Sequence, residues 1–182
     1  GRAPESRLTA LGREQALRLG QRLAREARVQ AIVSSSLPRA LETARLLAGC
    51  LGLPAVQEEA AFIEMSKGEW EGRMPRLNVP PSVQRQVDAD PLGFQYPGGE
   101  SFLQVEARVL PAFAGWMGRL AGQHVLLVLH GDVLSILLRH LLGLPPAQLR
   151  ETVLEPCSLT EFARAEEGWR LLRLNDTAHL SG

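Results

Sequence analysis

Residues 125–132 read VLLVLHGD, and this stretch decides the fold class. Its first five residues are all apolar and show no alternation with polar residues, which predicts a strand covered on both faces. A second apolar run from Val133 to Leu142 ends at Gly143 and predicts that a helix follows directly. A buried strand that leads straight into a helix is typical of an α/β domain with a parallel sheet.

The rest of the chain continues this alternation. Helices are expected where apolar residues recur every three or four positions, at 8–27, 37–51 and 102–120. Thr9 is the expected N-cap of the first, Gly52 ends the second, and Pro111 should kink or divide the third. Short apolar runs predict a strand at 29–33 and a hairpin formed by 158–165 and 169–174. We therefore expect one three-layer α/β domain over residues 1–182, with a largely parallel central sheet flanked by helices.

Composition excludes several functional classes. The chain has 182 residues, which suits one domain, and its net charge of +0 argues against a nucleic-acid binder. It contains no run of 18 apolar residues, and its two cysteines are too few for a disulfide scaffold. Its first residues are polar and unlike a signal peptide, so we expect a cytoplasmic protein with no membrane partner. Of the 20 basic residues 19 are arginine, which suits phosphate recognition but is equally explained by a GC-rich bacterial genome.

His130 is the first candidate for a functional residue. It follows directly on the strand at 125–129, and ligands of open α/β sheets bind beyond the carboxyl ends of the strands. Gly131 would allow a tight turn, and a helix that starts near Asp132 would offer free N–H groups to an anion. His130 could then bind a phosphate or move a proton, or it could be a capping or core histidine. A metal pair with Asp132 is a further option, although no other ligands cluster nearby.

Two further candidates come from other segments. Arg39 lies in the first turn of the helix after the strand at 29–33 and could reach the same edge of the sheet, or be a solvated surface arginine. Glu64 has apolar neighbours on both sides, which favours a protonated carboxyl and a general acid, although a surface loop glutamate fits equally well. The remaining histidines are interpreted as structural or surface residues: His124, His140 and His179.

Short motifs along the chain, taken together and in order, resemble those of the histidine phosphatase superfamily, the phosphoglycerate mutase-like fold. They are LTALGREQA at 8–16, SSLPRA at 35–40 with Thr43 and Ala44, Glu64 with GEWEG at 68–72, PGGES at 97–101, HG at 130–131, and a tail with Asn175, Asp176, His179 and Leu180. Each motif is weak by itself, but the ordered set covers nearly the whole chain and is specific.

The resemblance implies a mechanism and a set of site residues. In the family one histidine attacks phosphorus and becomes phosphohistidine, an acidic residue protonates the leaving oxygen, and water then releases phosphate without a metal or cofactor. By resemblance, His130 is the second, phosphate-binding histidine, Arg39 binds the phosphate and Glu64 is the proton donor. Gly131 and Arg2 would complete the substrate-binding set.

The sequence departs from the family pattern at two points. The nucleophile of the family lies in an RHG motif on the first strand, and these 182 residues contain no RHG, although Gly1 and Arg2 resemble the residues that follow it. We expect that strand upstream of Gly1; the alternative is a catalytically dead homologue that binds phospho-ligands. Ser135 stands where many members carry arginine in HGxxxR, which puts one supporting contact in question.

The substrate class is suggested by length. The stretch from Glu64 to His130 is shorter than in mutase members, which favours the small phosphatase branch acting on a small phosphorylated metabolite, with phosphoglycerate mutase as an alternative. Residues 73–100 are rich in proline and are expected to form a lid-like insert. Candidate apolar contacts for the substrate are Trp70, Met74 and Phe94. A homodimer is possible on this reading.

Overall fold

The computed structural model describes residues 1–2, 6–72, 80–145 and 154–181. Within them the α-helices are α1 Ala10–Glu26, α2 Pro38–Leu51, α3 Pro81–Ala89, α4 Phe102–Arg119 and α5 Gly131–Leu142. The strands are β1 Ala31–Ser35, β2 Gln57–Glu59, β3 Val125–Val128, β4 Leu159–Ala165 and β5 Gly168–Asp176. Short 3-10 helices lie at Ala60–Phe62, Gly68–Trp70 and Ala178–Leu180. No helix in the described part of the chain is long and apolar enough to cross a membrane.

Strand β1 is the centre of a parallel sheet. It pairs with β2 on one side and with β3 on the other, in the order β2-β1-β3, and all five of its residues are buried. Strands β4 and β5 form a separate antiparallel hairpin. The expected α/β class, with a parallel sheet and a hairpin near the end of the chain, is confirmed.

Alternate residues of β1 face two different layers of helices. Val33 packs in a core cluster with α4 and α5, through residues such as Val109 and Ile136. Its neighbour Ile32 points to the opposite face and packs with Leu47 and other residues of α1 and α2. Because successive side chains of a strand point to opposite faces, one strand joins both cores. The three-layer arrangement follows from this alternation.

Strand β3 differs from the expectation that it is covered throughout. All four of its residues are half-buried, although every one is apolar. Strand β3 pairs with β1 along one edge only. Within the described residues β3 is the last strand of its sheet, because β4 pairs with β5 instead. An edge strand leaves one row of backbone groups without ladder partners, which explains the partial exposure.

Local signals set most of the helix ends. The Thr9 hydroxyl accepts a hydrogen bond from the Gly12 N–H at 3.0 Å, which confirms the predicted N-cap of α1. Gly52 has a left-handed φ of 66° and ends α2, as expected. Pro111 does not divide α4, which is continuous from Phe102 to Arg119. The buried face of α4, which includes Phe113 on the turn that follows the proline, holds this helix together across it.

Some boundaries were wrong. Strand β1 begins and ends two residues later than expected, so Ser34 and Ser35 belong to the strand and are buried. Helix α5 starts at Gly131, which is therefore its first residue and not a separate tight turn. The insert at 73–100 contains helix α3, while residues 73–79, with Met74, lie outside the described residues.

Candidate active site

His130 lies at the carboxyl end of β3, in the N-cap position of α5. Its ring makes no capping hydrogen bond. Instead Nε2 lies 2.7 Å from Oγ of Ser35, the last residue of β1, and Nδ1 lies 3.4 Å from an Nη2 of Arg39. The parallel pairing of β1 with β3 brings the ends of both strands to one edge, as expected. The ring therefore joins the two strand ends, which is not what a capping histidine would do.

The surroundings of His130 keep its ring neutral. Burial, then the positive charge of Arg39, lower the pKa of His130 well below its ordinary value of 6.5. A guanidinium only donates hydrogen bonds, so Nδ1 of His130 accepts from Arg39 and Nε2 carries the proton. That Nε2–H donates to the Ser35 hydroxyl.

Arg39 lies in the first turn of α2, directly after Pro38. Its Nη2 donates to the Gly1 carbonyl at 2.8 Å as well as to His130. The side chain is therefore turned toward the edge of the sheet and is not the solvated surface arginine considered above. The first turns of α2 and α5 meet at this edge, and the first turn of α5 offers backbone N–H groups that have no partner within the helix.

Glu64 lies between two short 3-10 helices and is only 8% exposed. One carboxyl oxygen accepts a hydrogen bond from the Met65 N–H at 2.9 Å. Burial, followed by the negative charge of Asp132, raises the pKa of the Glu64 carboxyl above its ordinary value. Asp132 lies two residues after His130 and forms an ion pair with Lys67, which places Glu64 and His130 on segments that contact each other. The surface-loop alternative for Glu64 does not describe its position.

Arg2 is held against the segment that carries Glu64. Its Nε donates to the Glu64 carbonyl at 2.6 Å, and its Nη2 forms an ion pair with Glu100 at 2.7 Å. Its backbone N–H donates to a carboxyl oxygen of Glu71 at 2.9 Å. The predicted substrate-binding arginine thus lies in this region, with its guanidinium engaged by Glu64 and Glu100.

Lys67 was not recognised from the sequence. Its Nζ lies 2.9 Å from an oxygen of Asp132 and 4.5 Å from the ring centroid of Tyr96. Burial by itself would lower the pKa of this ammonium, but the charges of Asp132, Tyr96 and Glu64 outweigh burial and raise it. A signal was present, because Lys67 is the only lysine in the chain and lies three residues after Glu64. Ser35, which bonds His130, was also missed as a site residue.

The described residues place no third ligand beside His130 and Asp132, the pair considered above as a metal site. Asp132 is paired with Lys67, and across residues 1–2, 6–72, 80–145 and 154–181 no group of three His, Cys, Asp or Glu could hold a metal ion. The Ser135 hydroxyl donates to the Gly131 carbonyl at 2.8 Å, within its own helix.

Two of the three expected apolar contacts meet in an aromatic cluster. The rings of Trp70 and Phe94 both stand edge-on to Tyr96, with centroid distances of 5.4 and 5.3 Å. Because Tyr96 also lies under the Lys67 ammonium, the cluster adjoins the candidate site. The third contact, Met74, lies outside the described residues.

The other histidines lie away from this edge. The ring of His179 contacts Arg22 and the Cys157 carbonyl, while His140 is exposed on α5. His124 precedes β3 and uses its backbone N–H to bond Gln30. These positions match the structural or surface interpretation of all three.

Comparison with known proteins gives a consistent set of relatives. The histidine phosphatase superfamily (branch 1) matches residues 1–177. A probable phosphoglycerate mutase, GpmB, of Yersinia enterocolitica is 34% identical over 97% of this chain and 84% of its own length. The alpha-ribazole phosphatase of Shigella flexneri superposes with a TM-score of 0.80 at 28% identity, over 97% of this chain and 87% of that chain. A mycobacterial glucosyl-3-phosphoglycerate phosphatase gives a TM-score of 0.76 at 27% identity, over 97% and 89% respectively.

Proposed function

The chain belongs to the histidine phosphatase superfamily, and we propose that it is a metal-independent phosphatase that hydrolyses small phosphomonoesters through a phosphohistidine intermediate. The observation that carries the proposal is the meeting of His130 and Arg39 at one edge of the sheet, with the segment of the buried Glu64 joined to α5 through the Lys67–Asp132 ion pair. A donor set for an oxyanion and a protonated carboxyl are the two requirements of phosphomonoester cleavage that side chains can meet.

The phosphoryl group would bind between Arg39 and His130. Arg39 offers a permanently charged donor, and the first turn of α5, beginning at Gly131, adds N–H groups aimed at the same edge. His130 is neutral without ligand, and a dianion beside its ring would raise its pKa and favour a second donated hydrogen bond. Charge on the transferring group would thus be matched by fixed donors, which is usually the largest catalytic contribution.

Glu64 would supply the proton for the leaving group. A histidine nitrogen attacks phosphorus, the bond from phosphorus to the ester oxygen breaks, and its electron pair goes to that oxygen, which takes the Glu64 proton. Water then attacks the phosphohistidine, and the Glu64 carboxylate takes a proton from it as the phosphorus–nitrogen bond breaks. Burial raises the pKa of the Glu64 carboxyl, which favours the protonated form that the first step needs.

The attacking histidine would come from residues before Gly1. The Gly1 carbonyl is bonded to Arg39, which in turn bonds His130, so the chain enters at the candidate site itself. Strand β3 ends the parallel sheet in the described residues, and its second edge has no strand paired with it there. A strand that pairs in parallel with that edge and is joined to Gly1 by a loop would bring its last side chains to the carboxyl end of β3, where His130 lies.

The decisive experiment uses the full-length gene product, with any residues encoded before Gly1. Phosphate release from an aryl phosphate is measured with and without EDTA, and the protein is labelled with a radioactive phosphate ester. We expect EDTA-resistant release, an RHG encoded within about 10–20 residues upstream of Gly1, and an acid-labile, base-stable label on histidine. Activity that disappears with EDTA contradicts the metal-free mechanism. The absence of both RHG and phosphate release would favour a phospho-ligand-binding homologue.

Phosphoglycerate mutase is the second candidate, favoured by the GpmB relatives at 34% identity. A mutase returns the phosphoryl group to an organic acceptor, whereas a phosphatase releases it to water. Incubation with a phosphorylated hydroxy acid separates the two outcomes by the ratio of isomerised ester to inorganic phosphate. The structural neighbours named as phosphatases favour release.

The insert at 73–100 would act as the lid of this site. Its described part carries α3, and Phe94 and Tyr96 reach the aromatic cluster beside Lys67. In this arrangement the non-phosphate part of the substrate would lie against Trp70 and Phe94, opposite the phosphate donors.

A further inference from the structure

We propose that Arg108 is a positioning residue for Glu64, and that its guanidinium, held by Glu100, fixes the backbone segment on which Glu64 sits. The proposal rests on the proposed role of Glu64 as proton donor. Arg108 itself touches no group that would react.

The hydrogen bonds of Arg108 go to the backbone around Glu64. From helix α4, Nη1 donates to the carbonyls of Ala61 at 2.5 Å and Ile63 at 2.7 Å, and Nη2 donates to the Glu64 carbonyl at 3.3 Å. The segment between the two short 3-10 helices belongs to no strand or α-helix. Its buried carbonyls need donors from elsewhere, since an unpaired buried carbonyl costs about as much as a lost hydrogen bond. Arg108 provides the hydrogen-bond donors that the N–H groups of a neighbouring strand would otherwise provide.

Glu100 holds the guanidinium in its orientation. Nε and Nη2 of Arg108 donate to the two carboxylate oxygens of Glu100, each at 3.1 Å, in a two-point arrangement that fixes the plane of the side chain. Burial would raise the pKa of Glu100, but hydrogen bonds from Arg108 and Ser66 outweigh burial and lower it, so the carboxylate stays charged.

The Glu100 carboxylate also binds the segment that follows Glu64. Oε2 of Glu100 accepts the Ser66 N–H at 3.0 Å, and Arg2 bridges Glu100 to the Glu64 carbonyl. Glu64 is therefore tied before it by Arg108 and after it by Glu100. Its backbone has little freedom to move relative to α4.

In this arrangement Arg108 makes no hydrogen bond to the carboxyl of Glu64. The hydrogen bonds from Arg108 end on carbonyl oxygens and on Glu100, while the Glu64 carboxyl accepts from the Met65 N–H. A guanidinium bonded to the carboxyl would lower its pKa and hold it ionised. Bonds to the carbonyl fix the position of the acid without removing its proton.

The test compares Arg108→Met and Arg108→Lys with the matched control Arg139→Met. Arg139 lies on α5 and pairs with Glu106 of α4, and the two arginine side chains are 20% and 21% exposed. The control therefore removes an equally buried interaction of the same helix α4, away from Glu64. Arg108→Lys retains the charge and some donors, and it keeps the test usable if Arg108→Met fails to fold.

The first measurement is hydrogen exchange of the Met65 and Ser66 amides in the full-length protein. We expect exchange at least about 10-fold faster in Arg108→Met, an intermediate rate in Arg108→Lys, and the wild-type rate in Arg139→Met. Wild-type protection in both Arg108 variants, or equal loss in the Arg139 control, would overturn the proposal. This measurement requires no activity, so it stands even if the proposed reaction is wrong.

The second measurement is kcat for an alkyl and for an aryl phosphate. Misplacing a catalytic group by about 1 Å costs on the order of 100-fold, so we expect Arg108→Met to lose about that factor more on the alkyl ester, with KM little changed. Equal losses on both esters would refute positioning of the acid. Glu64→Gln is measured beside it. If Glu64→Gln also loses equally on both esters, the acid role of Glu64 fails. If Glu64→Gln loses more on the alkyl ester but Arg108→Met does not, only the inference about Arg108 fails.

Discussion

Two clusters of arginines and carboxylates lie in different parts of this molecule, and the pKa of Asp176 in one and that of Glu64 in the other are shifted in opposite directions. In the tail cluster, formed by Arg22, Glu26, Arg173 and Asp176, Arg22 donates to an Asp176 carboxylate oxygen at 2.6 Å and to both oxygens of Glu26 at 3.1 Å. The hydrogen bond from Arg22 holds the pKa of Asp176 well below its usual range. In the site cluster, formed by Arg2, Glu64, Glu100 and Arg108, both arginines bond the Glu64 carbonyl and its carboxyl pKa is raised.

The difference lies in the acceptor atom and in burial. A carboxylate that faces solvent and receives a guanidinium stays ionised and acts as a tether, as Asp176 does between α1 and the end of β5. A buried carboxyl whose arginines bond only its backbone can keep its proton, as Glu64 can. Equal composition thus gives a structural cluster in one place and a candidate acid in the other.

The largest expected effect is that of Glu64→Gln. The amide keeps the size of the side chain but has no proton to give, so cleavage of alkyl esters should slow by roughly 10²–10⁴-fold. Aryl esters should lose far less, because phenoxide leaves without protonation. Steady-state kcat of the full-length protein on both esters measures this. Equal losses would place Glu64 with the tail cluster as a structural carboxyl.

Replacement of His130 by alanine comes next. Loss of one donor in a preorganised site costs roughly 10²–10³ in kcat, and the fold should survive because the ring ends β3 and fills no core position. The ring is neutral when free, so binding of a sulfate dianion should raise its pKa and be accompanied by proton uptake at a pH just above the lowered pKa of the free ring. Calorimetry in buffers of different ionisation heat detects that uptake. Sulfate binding without it, or His130→Ala that takes up as many protons, would contradict the assignment.

Much of the site follows from local sequence. His130 and Arg39 each come one short step after a strand, and parallel strands end at the same edge, so their meeting was predictable. The apolar neighbours of Glu64 allowed both a buried and a surface carboxyl, and the fold makes it buried. The apolar run before His130 and the helix start at Arg39 are local features that can be recognised without knowing which distant residues they contact.

The remainder depends on distant pairings. Strand β2 is Gln-Glu-Glu, a sequence with no strand preference, and it forms because β1 offers a parallel edge. The contacts of Lys67 with Asp132, and of Arg108 with three carbonyls, join segments far apart in the chain. Hydrophobic pattern and secondary-structure propensity carry no information about which acceptor atom an arginine will bind.

Asp132→Asn should have a smaller effect and tests what raises the pKa of Glu64. The negative charge of Asp132 raises that pKa, and the variant also leaves the Lys67 charge unbalanced, which lowers it. Glu64 then loses its proton at lower pH, so the alkaline limb of kcat for an alkyl ester moves to lower pH. In the double variant with Lys67→Met both charges are absent, and the limb should move less. An unmoved limb in Asp132→Asn would show that burial alone controls Glu64.

The smallest effect on catalysis is expected from Arg22→Met in the tail cluster. Activity should stay within about 2-fold, because neither Arg22 nor its partners reach the candidate site. The melting temperature at pH 7 should fall by about 2–4 °C, the size of a screened ion pair in a domain of this length. Because Asp176 has a lowered pKa in the folded protein, its stabilising effect is present above its ordinary pKa of 3.8 and is lost as the pH falls below it. The gap between wild type and variant, measured by urea unfolding, should therefore narrow progressively as the pH falls below 3.8. A gap that stays constant with pH would mean that Arg22 acts by packing and not through Asp176, and the contrast between the two clusters would then rest on Glu64 alone.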